Sequence, residues 1–293
     1  MKNITDKLIE AIEKKGNPTV AGLDTKIDFL PDALKKHADN NEDISKALLE
    51  YNCNLIDALC GVVPAVKIQS AYYEMYGYHG VKTMWDTAEY AKKNGLIVMA
   101  DVKRNDIGAT AEAYAAGYLG ENGYDYITVN PYPGYDGIKP FVDKCRQNGK
   151  GIFVLARMSN PSAAQLQNLT VDGRPLYMHV GELIQEWGSE LIGEYGYSAV
   201  GAVVGATSPQ EARMLREKYK TVFFLVPGYG AQGGKGTDAA ASFDSKGRGA
   251  IVNNSRGIIA AYKTDKYKGM SYADAAKAAA IDMREDLAKA LKL

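Results

Sequence analysis

Residues 96–108 read Leu-Ile-Val-Met-Ala-Asp-Val-Lys-Arg-Asn-Asp-Ile-Gly, and the parsing of the whole chain depends on them. Gly95 precedes an apolar run over 96–100 whose length and β-branched content predict a strand buried on both faces. Asp101, Lys103, Arg104 and Asp106 follow within six positions. On an extended backbone Asp101 and Lys103 share a side, because strand side chains alternate. Asp106 then falls in a turn, and residues 109–120 predict a helix. Charges at the end of a buried strand are costly to desolvate unless they pair. Such a cluster is either chemical equipment or a strand-end salt bridge beside a solvated helix cap.

Working outward, the same pattern of apolar run, polar end and helix recurs. Residues 4–15 form an amphipathic helix closed by Gly16, and 18–23 a first strand ending at Asp24. A second strand, 62–68, carries Lys67 near its end, and the stretch around Asp101 is the third. Residues 125–129 and 151–156 are the fourth and fifth, the latter running into Arg157, Met158 and Ser159. A helix covers 176–194, a sixth strand 199–204 and its helix 209–220. The seventh strand, 222–226, leads into Pro227 and a glycine-rich loop. A short eighth, 250–252, continues through Asn253 and Asn254 to Ser255, Arg256 and a closing helix. Eight strands alternating with helices predict an α/β fold, a (β/α)8 TIM barrel in a single domain over 1–293. An insertion at about 235–249 separates strands seven and eight. A doubly wound sheet is the alternative, and eight regular units suit closure better.

Composition narrows the function classes. The 293 residues are 46% apolar and 24% charged with a formal net charge of zero, so nothing favours nucleic acid or an anionic membrane as partner. The charged N-terminus has no apolar core of a signal peptide, and no run of 18 apolar residues occurs. Cys53, Cys60 and Cys145 form no CxxC pair and suit free thiols in a cytoplasmic protein. His37, His79 and His179 are scattered, which speaks against zinc.

Asp24, Lys67, Asp101, Lys103, Ser159 and Arg256 all fall at or just beyond predicted strand ends. In a barrel these ends form the mouth where active sites lie, so the six are expected around one pocket. The loop 228–234 is expected to offer backbone N–H groups to an anion, with Arg256 supplying a fork of donors for phosphate. The bland alternative is a flexible loop and a surface arginine. Gly228, Gly230 and Gly233 fit GxGxxG, but at the seventh strand with no amphipathic helix behind them. The GGKGT segment lacks the first P-loop glycine, and Gly236 rather than Ser or Thr follows Lys235. Tyr72, Tyr73, Tyr76 and Tyr78 are expected to pack or line a rim; Arg104 fits a surface charge equally well as a part of the cluster, and Asn130 with the loop after it either shapes the mouth or only makes a tight turn.

With these residues in place, the chain resembles the orotidine 5′-phosphate decarboxylase family over nearly its whole length. The resemblance rests on GLD (22–24), AVKIQ (65–69), ADVKRNDIGAT (100–110), VPGYGAQGG (226–234) and SRGI (255–258). The insertion resembles that of the family's longer bacterial branch. It alters the spacing from Gln232 to Arg256, which leaves Arg248 as a competing candidate. The resemblance implies decarboxylation of orotidine 5′-phosphate to uridine 5′-monophosphate (UMP) and CO2 in de novo pyrimidine synthesis, with neither metal nor organic cofactor. It implies that Asp24 and Lys67 hold ribose hydroxyls and that Asp101, Lys103 and Asp106 form the charged catalytic array. It further implies that Ser159 bonds the pyrimidine amide edge, that Gln232 on a closing loop and Arg256 bind phosphate, and that Pro227 belongs to the substrate-binding set. A homodimer is implied as well, with Asp106 and Thr110 reaching into the neighbouring subunit's site. Three rivals stay open. A Schiff-base aldolase would use Lys67 or Lys103, although a lysine between carboxylates stays protonated. A metal-dependent sugar-phosphate decarboxylase or epimerase would place a cation beside Asp101, where Lys67 opposes it. A non-catalytic phosphate binder would have no use for the charge array.

Overall fold

The computed structural model describes residues 2–230 and 233–292. Eight parallel strands close into a barrel: β1 Thr19–Leu23, β2 Ala65–Gln69, β3 Ile97–Arg104, β4 Tyr126–Val129, β5 Gly151–Arg157, β6 Val200–Val204, β7 Phe224–Val226 and β8 Ala250–Asn254. Their order around the barrel is β1-β8-β7-β6-β5-β4-β3-β2. The predicted (β/α)8 architecture is the one observed. The main helices are α1 Ile4–Lys15, α2 Asn41–Leu59, α3 Gly77–Lys93, α4 Gly108–Leu119, α5 Tyr135–Asn148, α6 Leu176–Trp187, α7 Pro209–Lys218 and α8 Tyr272–Leu291. Among the described residues no helix is long and apolar enough to cross a membrane.

Backbone packing divides the chain into two compact units: residues 1–11, 103–252 and 287–293, and residues 12–102 and 253–286. In the second unit β1 is buried along its whole length and pairs with β2, Gly22 standing beside Lys67. Helix α2 begins at the N-cap Asn40, whose side chain accepts from the amides of Glu42 and Asp43. It buries Leu48, Tyr51, Leu55 and Ile56. Asn52 is also wholly buried, and it joins Thr25, Tyr73 and Thr87 in one hydrogen-bonded network. Buried polar groups persist when satisfied in this way. Tyr73 and Tyr76 are core residues, as expected of the tyrosine cluster, whereas Tyr78 is largely exposed.

In the first unit the insertion is part of the fold. Buried Arg216 on α7 donates to the carbonyls of Ser242, Tyr219, Val222 and Gly249. Its guanidinium lies 3.8 Å from the Phe224 ring centroid. Burial pushes this guanidinium down to about 10. One side chain thereby ties the insertion to the segments that enter β7 and β8.

Three local expectations need correction. The helix predicted over 176–194 stops at Trp187, because Gly188 follows and its carbonyl accepts from the buried Ser198 hydroxyl. A small antiparallel hairpin, Thr170–Val171 with Arg174–Pro175, was not anticipated. Its turn is Asp172-Gly173, both at positive φ, the residue pair such tight turns favour. The closing helix is interrupted: Arg256–Ile259 forms one turn before α8.

Candidate active site

Within the second unit, an ion cluster sits at the ends of β1, β2 and β3. The Lys67 side chain is only 4% exposed and its Nζ lies 3.0 Å from Asp101 Oδ2 and 3.4 Å from Asp24 Oδ1. Gln69 Nε2 donates to the same Asp101 oxygen at 2.9 Å. Burial opposes the charge on Lys67, but Asp101 and Asp24 together outweigh it and hold the ammonium above the ordinary lysine value. The desolvation cost of Lys67 is thus offset by its two carboxylate partners. Asp24 is itself steadied by its neighbours in sequence. The Tyr73 hydroxyl donates to the Leu23 carbonyl at 2.9 Å, and the Thr25 hydroxyl donates to Asn52 Oδ1 at 2.7 Å.

Lys103 stands two residues beyond Asp101 on β3, in the first unit. Its φ is +45°, a left-handed conformation that L residues other than glycine rarely adopt. Such backbone costs about 1–3 kcal/mol and persists only where the surroundings hold it. Here the Lys103 amide donates to the buried Thr128 hydroxyl on β4 at 2.9 Å, and the next carbonyl, of Arg104, accepts from the Asn130 amide at 3.0 Å. The sequence expectation that Asp101 and Lys103 share a side rested on extended backbone. That condition fails at Lys103. Arg104 is not a plain surface charge either: its guanidinium lies 5.5 and 5.4 Å from the Tyr114 and Tyr118 ring centroids on α4.

Asp106 is half-buried in the turn after β3, and its Oδ1 accepts from the Ile107 amide at 2.8 Å. Thr110, in the first turn of α4, is exposed, and Ile107 between them is 61% exposed.

Ser159 follows a bulge in β5, where the register to β6 shifts between Leu155 and Arg157. Its carbonyl accepts from the Thr207 hydroxyl at 3.2 Å. A Cβ at Gly205 would stand 2.8 Å from Ser159 Cβ, so only glycine leaves room for the serine there. Buried Arg157 pairs with Glu211 and donates to the Met158 carbonyl at 2.8 Å. Gln167 Oε1 accepts from the Met158 amide at 2.9 Å. Sequence reasoning noted Arg157 only as a strand end and missed this scaffold, whose partners lie 10 and 54 positions away.

Pro227 is half-buried after β7, and its carbonyl accepts from the Ala206 amide at 2.8 Å. The glycine-rich loop behaves differently from expectation. The amides of Gly230, Gly233 and Gly234 donate to carbonyls of Gly234, Gly230 and Gly228 in the loop itself. Three of the donors assigned to an anion are therefore committed internally. Gln232 lies outside the described residues. Arg248 precedes β8, and its guanidinium lies 5.0 Å from the Tyr195 ring centroid. Arg256 follows the C-terminal end of β8 and is exposed. Only the second of these arginines is at the strand end where barrel enzymes build their sites. Among the described residues no group of three His, Cys, Asp or Glu side chains could hold a metal ion.

Residues 31–268 match the profile of a family described as orotidine 5′-phosphate decarboxylase / HUMPS. The chain is 45% identical over 278 residues to an orotidine 5′-phosphate decarboxylase of Caldicellulosiruptor saccharolyticus, covering 90% of this chain and 91% of that one. It is 44% identical to the enzyme of the same name from Petrotoga mobilis, covering 97% and 98%. Among solved structures, that of Leishmania donovani UMP synthase superposes with a TM-score of 0.80 at 29% identity. The match covers 99% of this chain and 57% of that longer one.

Proposed function

The chain belongs to the orotidine 5′-phosphate decarboxylase / HUMPS family, and from that membership we infer that it converts orotidine 5′-phosphate to UMP and CO2, a step of pyrimidine biosynthesis. The relatives that match nearly end to end are decarboxylases by name. The observation that carries the mechanism is the strand end of β3, where Asp101 is locked to Lys67 and Lys103 follows on backbone held left-handed.

The chemistry asks for a fixed cation. When the bond from C6 to the carboxylate breaks, CO2 leaves and the electron pair stays on C6, in the ring plane, where no π-system accepts it. A preorganised ammonium beside C6 stabilises that charge more in the transition state than in the ground state. We assign this role to Lys103, which then transfers a proton to C6 and regains one from solvent. Pinning of its backbone by Thr128 supports the assignment, because preorganisation requires a positioned donor. Asp101 and Asp106 complete the charged array. Asp24 and Lys67 take the ribose hydroxyls, Ser159 the pyrimidine edge, and Pro227, Gln232 and Arg256 the remaining substrate contacts. Arg256 is preferred to Arg248 because it follows β8 rather than preceding it. No step in this scheme calls on a metal or organic cofactor.

The assembly belongs to the same proposal. Thr110 and Ile107 are exposed at the start of α4 beside Asp106, which supports a homodimer in which Asp106 and Thr110 serve the neighbouring subunit. The single domain over 1–293 belongs to the same proposal.

The test is the loss of ultraviolet absorbance of orotidine 5′-phosphate on adding EDTA-treated protein. The expected result is turnover by wild type, and in Lys103→Ala a fall of at least about 10³-fold with UMP binding retained. Near-normal turnover by the variant would remove Lys103 from the mechanism. An inactive wild type that recovers on adding a divalent cation would favour the metal-dependent rival.

A further inference from the structure

The end of β8 carries a buried polar group that the scheme above leaves unused. Asn253 is 8% exposed, and its Oδ1 is buried with no hydrogen-bond partner among the described residues. Its Nδ2 donates to the Ser255 hydroxyl at 3.2 Å. A buried amide oxygen left unpaired costs about 1–3 kcal/mol, so an orphan in a folded protein calls for a cause.

Gly22 shows which way this amide faces. It pairs with Lys67 in the parallel register of β1 and β2, so a side chain at position 22 would point to the face that carries Lys67. A Cβ built there meets Ser255 Oγ at 1.9 Å and Asn253 Oδ1 at 2.9 Å. Asn253 and Ser255 therefore fill the place that a side chain on residue 22 would take. The orphan acceptor is on the same face as the Lys67–Asp24–Asp101 cluster, at the same end of the strands. Glycine at position 22 is what admits it.

We propose that Asn253 is a further substrate-binding residue, whose Oδ1 accepts a hydrogen bond from a ribose hydroxyl of the nucleotide. The chemistry selects the group. An amide oxygen needs a donor, a phosphate dianion offers none, and the ribose is the part already assigned to the neighbouring Asp24 and Lys67. The proposal rests on the decarboxylase reading for the identity of the ligand. Its signal in the sequence is slight: two asparagines close a strand whose preceding residues are all apolar.

The experiment compares dissociation constants of UMP, 2′-deoxy-UMP and 3′-deoxy-UMP for wild type, Asn253→Ala and Asn253→Ser by calorimetry. Loss of one neutral hydrogen bond weakens UMP binding about 3- to 10-fold. The deoxy nucleotide lacking the partner hydroxyl should bind variant and wild type alike, while the other deoxy nucleotide shows the same loss as UMP. Serine is too short to reach the hydroxyl, so it should reproduce the alanine result if alanine fails to fold. Equal weakening of all three nucleotides, or of none, overturns the proposal. Decarboxylase activity of the wild type, measured alongside, separates this failure from failure of the function itself.

Discussion

At Lys103 the chain does something a lysine ordinarily avoids. A left-handed backbone places Cβ against the following carbonyl, a cost that glycine escapes. The two bonds from β4 and its exit, Thr128 to the Lys103 amide and the Asn130 amide to the Arg104 carbonyl, hold the segment against that cost. Stability and chemistry should thus separate at this residue. Lys103→Gly is expected to be more stable than Lys103→Ala by about 1–2 kcal/mol in urea unfolding, because only alanine keeps the strained Cβ. Both variants should lack turnover. The reverse order of stability would mean that residue 103 is not held left-handed in solution.

At the scale of elements, the placing of Asp24 depends on α2 and the tyrosine-bearing segment after β2. Tyr73 donates to the Leu23 carbonyl and accepts from Asn52, and Asn52 in turn receives the Thr25 hydroxyl. The residues on both sides of Asp24 are therefore fixed from one buried network. Removing the Tyr73 hydroxyl takes the donor from the Leu23 carbonyl and the acceptor from one Asn52 N–H, while Thr87 keeps the other. Tyr73→Phe is expected to lose about 1–3 kcal/mol in denaturant unfolding. In steady-state assays KM for orotidine 5′-phosphate should rise several-fold with kcat within about twofold, the sign of weakened ground-state binding. A fall in kcat at unchanged KM would place the network's effect on the reacting groups instead of on Asp24.

At the scale of the whole molecule, the closed sheet has no edge strand to pair with another chain, so assembly through the barrel falls to the elements outside that sheet. The start of α4 offers such a surface, with Ile107 exposed between Asp106 and Thr110. If Asp106 serves the partner's site, dimers re-formed from Lys103→Ala and Asp106→Ala subunits contain one fully native site in each mixed pair. Equal mixing with free exchange is then expected to restore roughly a quarter of wild-type activity from two inactive parents. Activity no greater than that of the parents, with mixed dimers demonstrated by mass, would mean that each site is built from one chain.

The order of strands and helices was legible because it depends on local apolar runs and their punctuation, which a linear reading detects. The polar residues at strand ends were legible for the same reason: Asp24 and Asp101 directly follow apolar runs, Lys67 lies within one, and Ser159 and Arg256 come three and four residues after one. Even the overlooked hairpin was written in the Asp172-Gly173 pair. Other features depend on partners far apart in the chain. The left-handed turn at Lys103 requires Thr128 on the next strand, the internal bonding of the glycine loop requires its folded shape, and Arg216 finds its four carbonyls only once the insertion packs. Asn253 is the clearest case. Its orphan oxygen is defined by a missing partner, and whether a buried group has a partner is decided by every neighbour that tertiary packing brings or withholds.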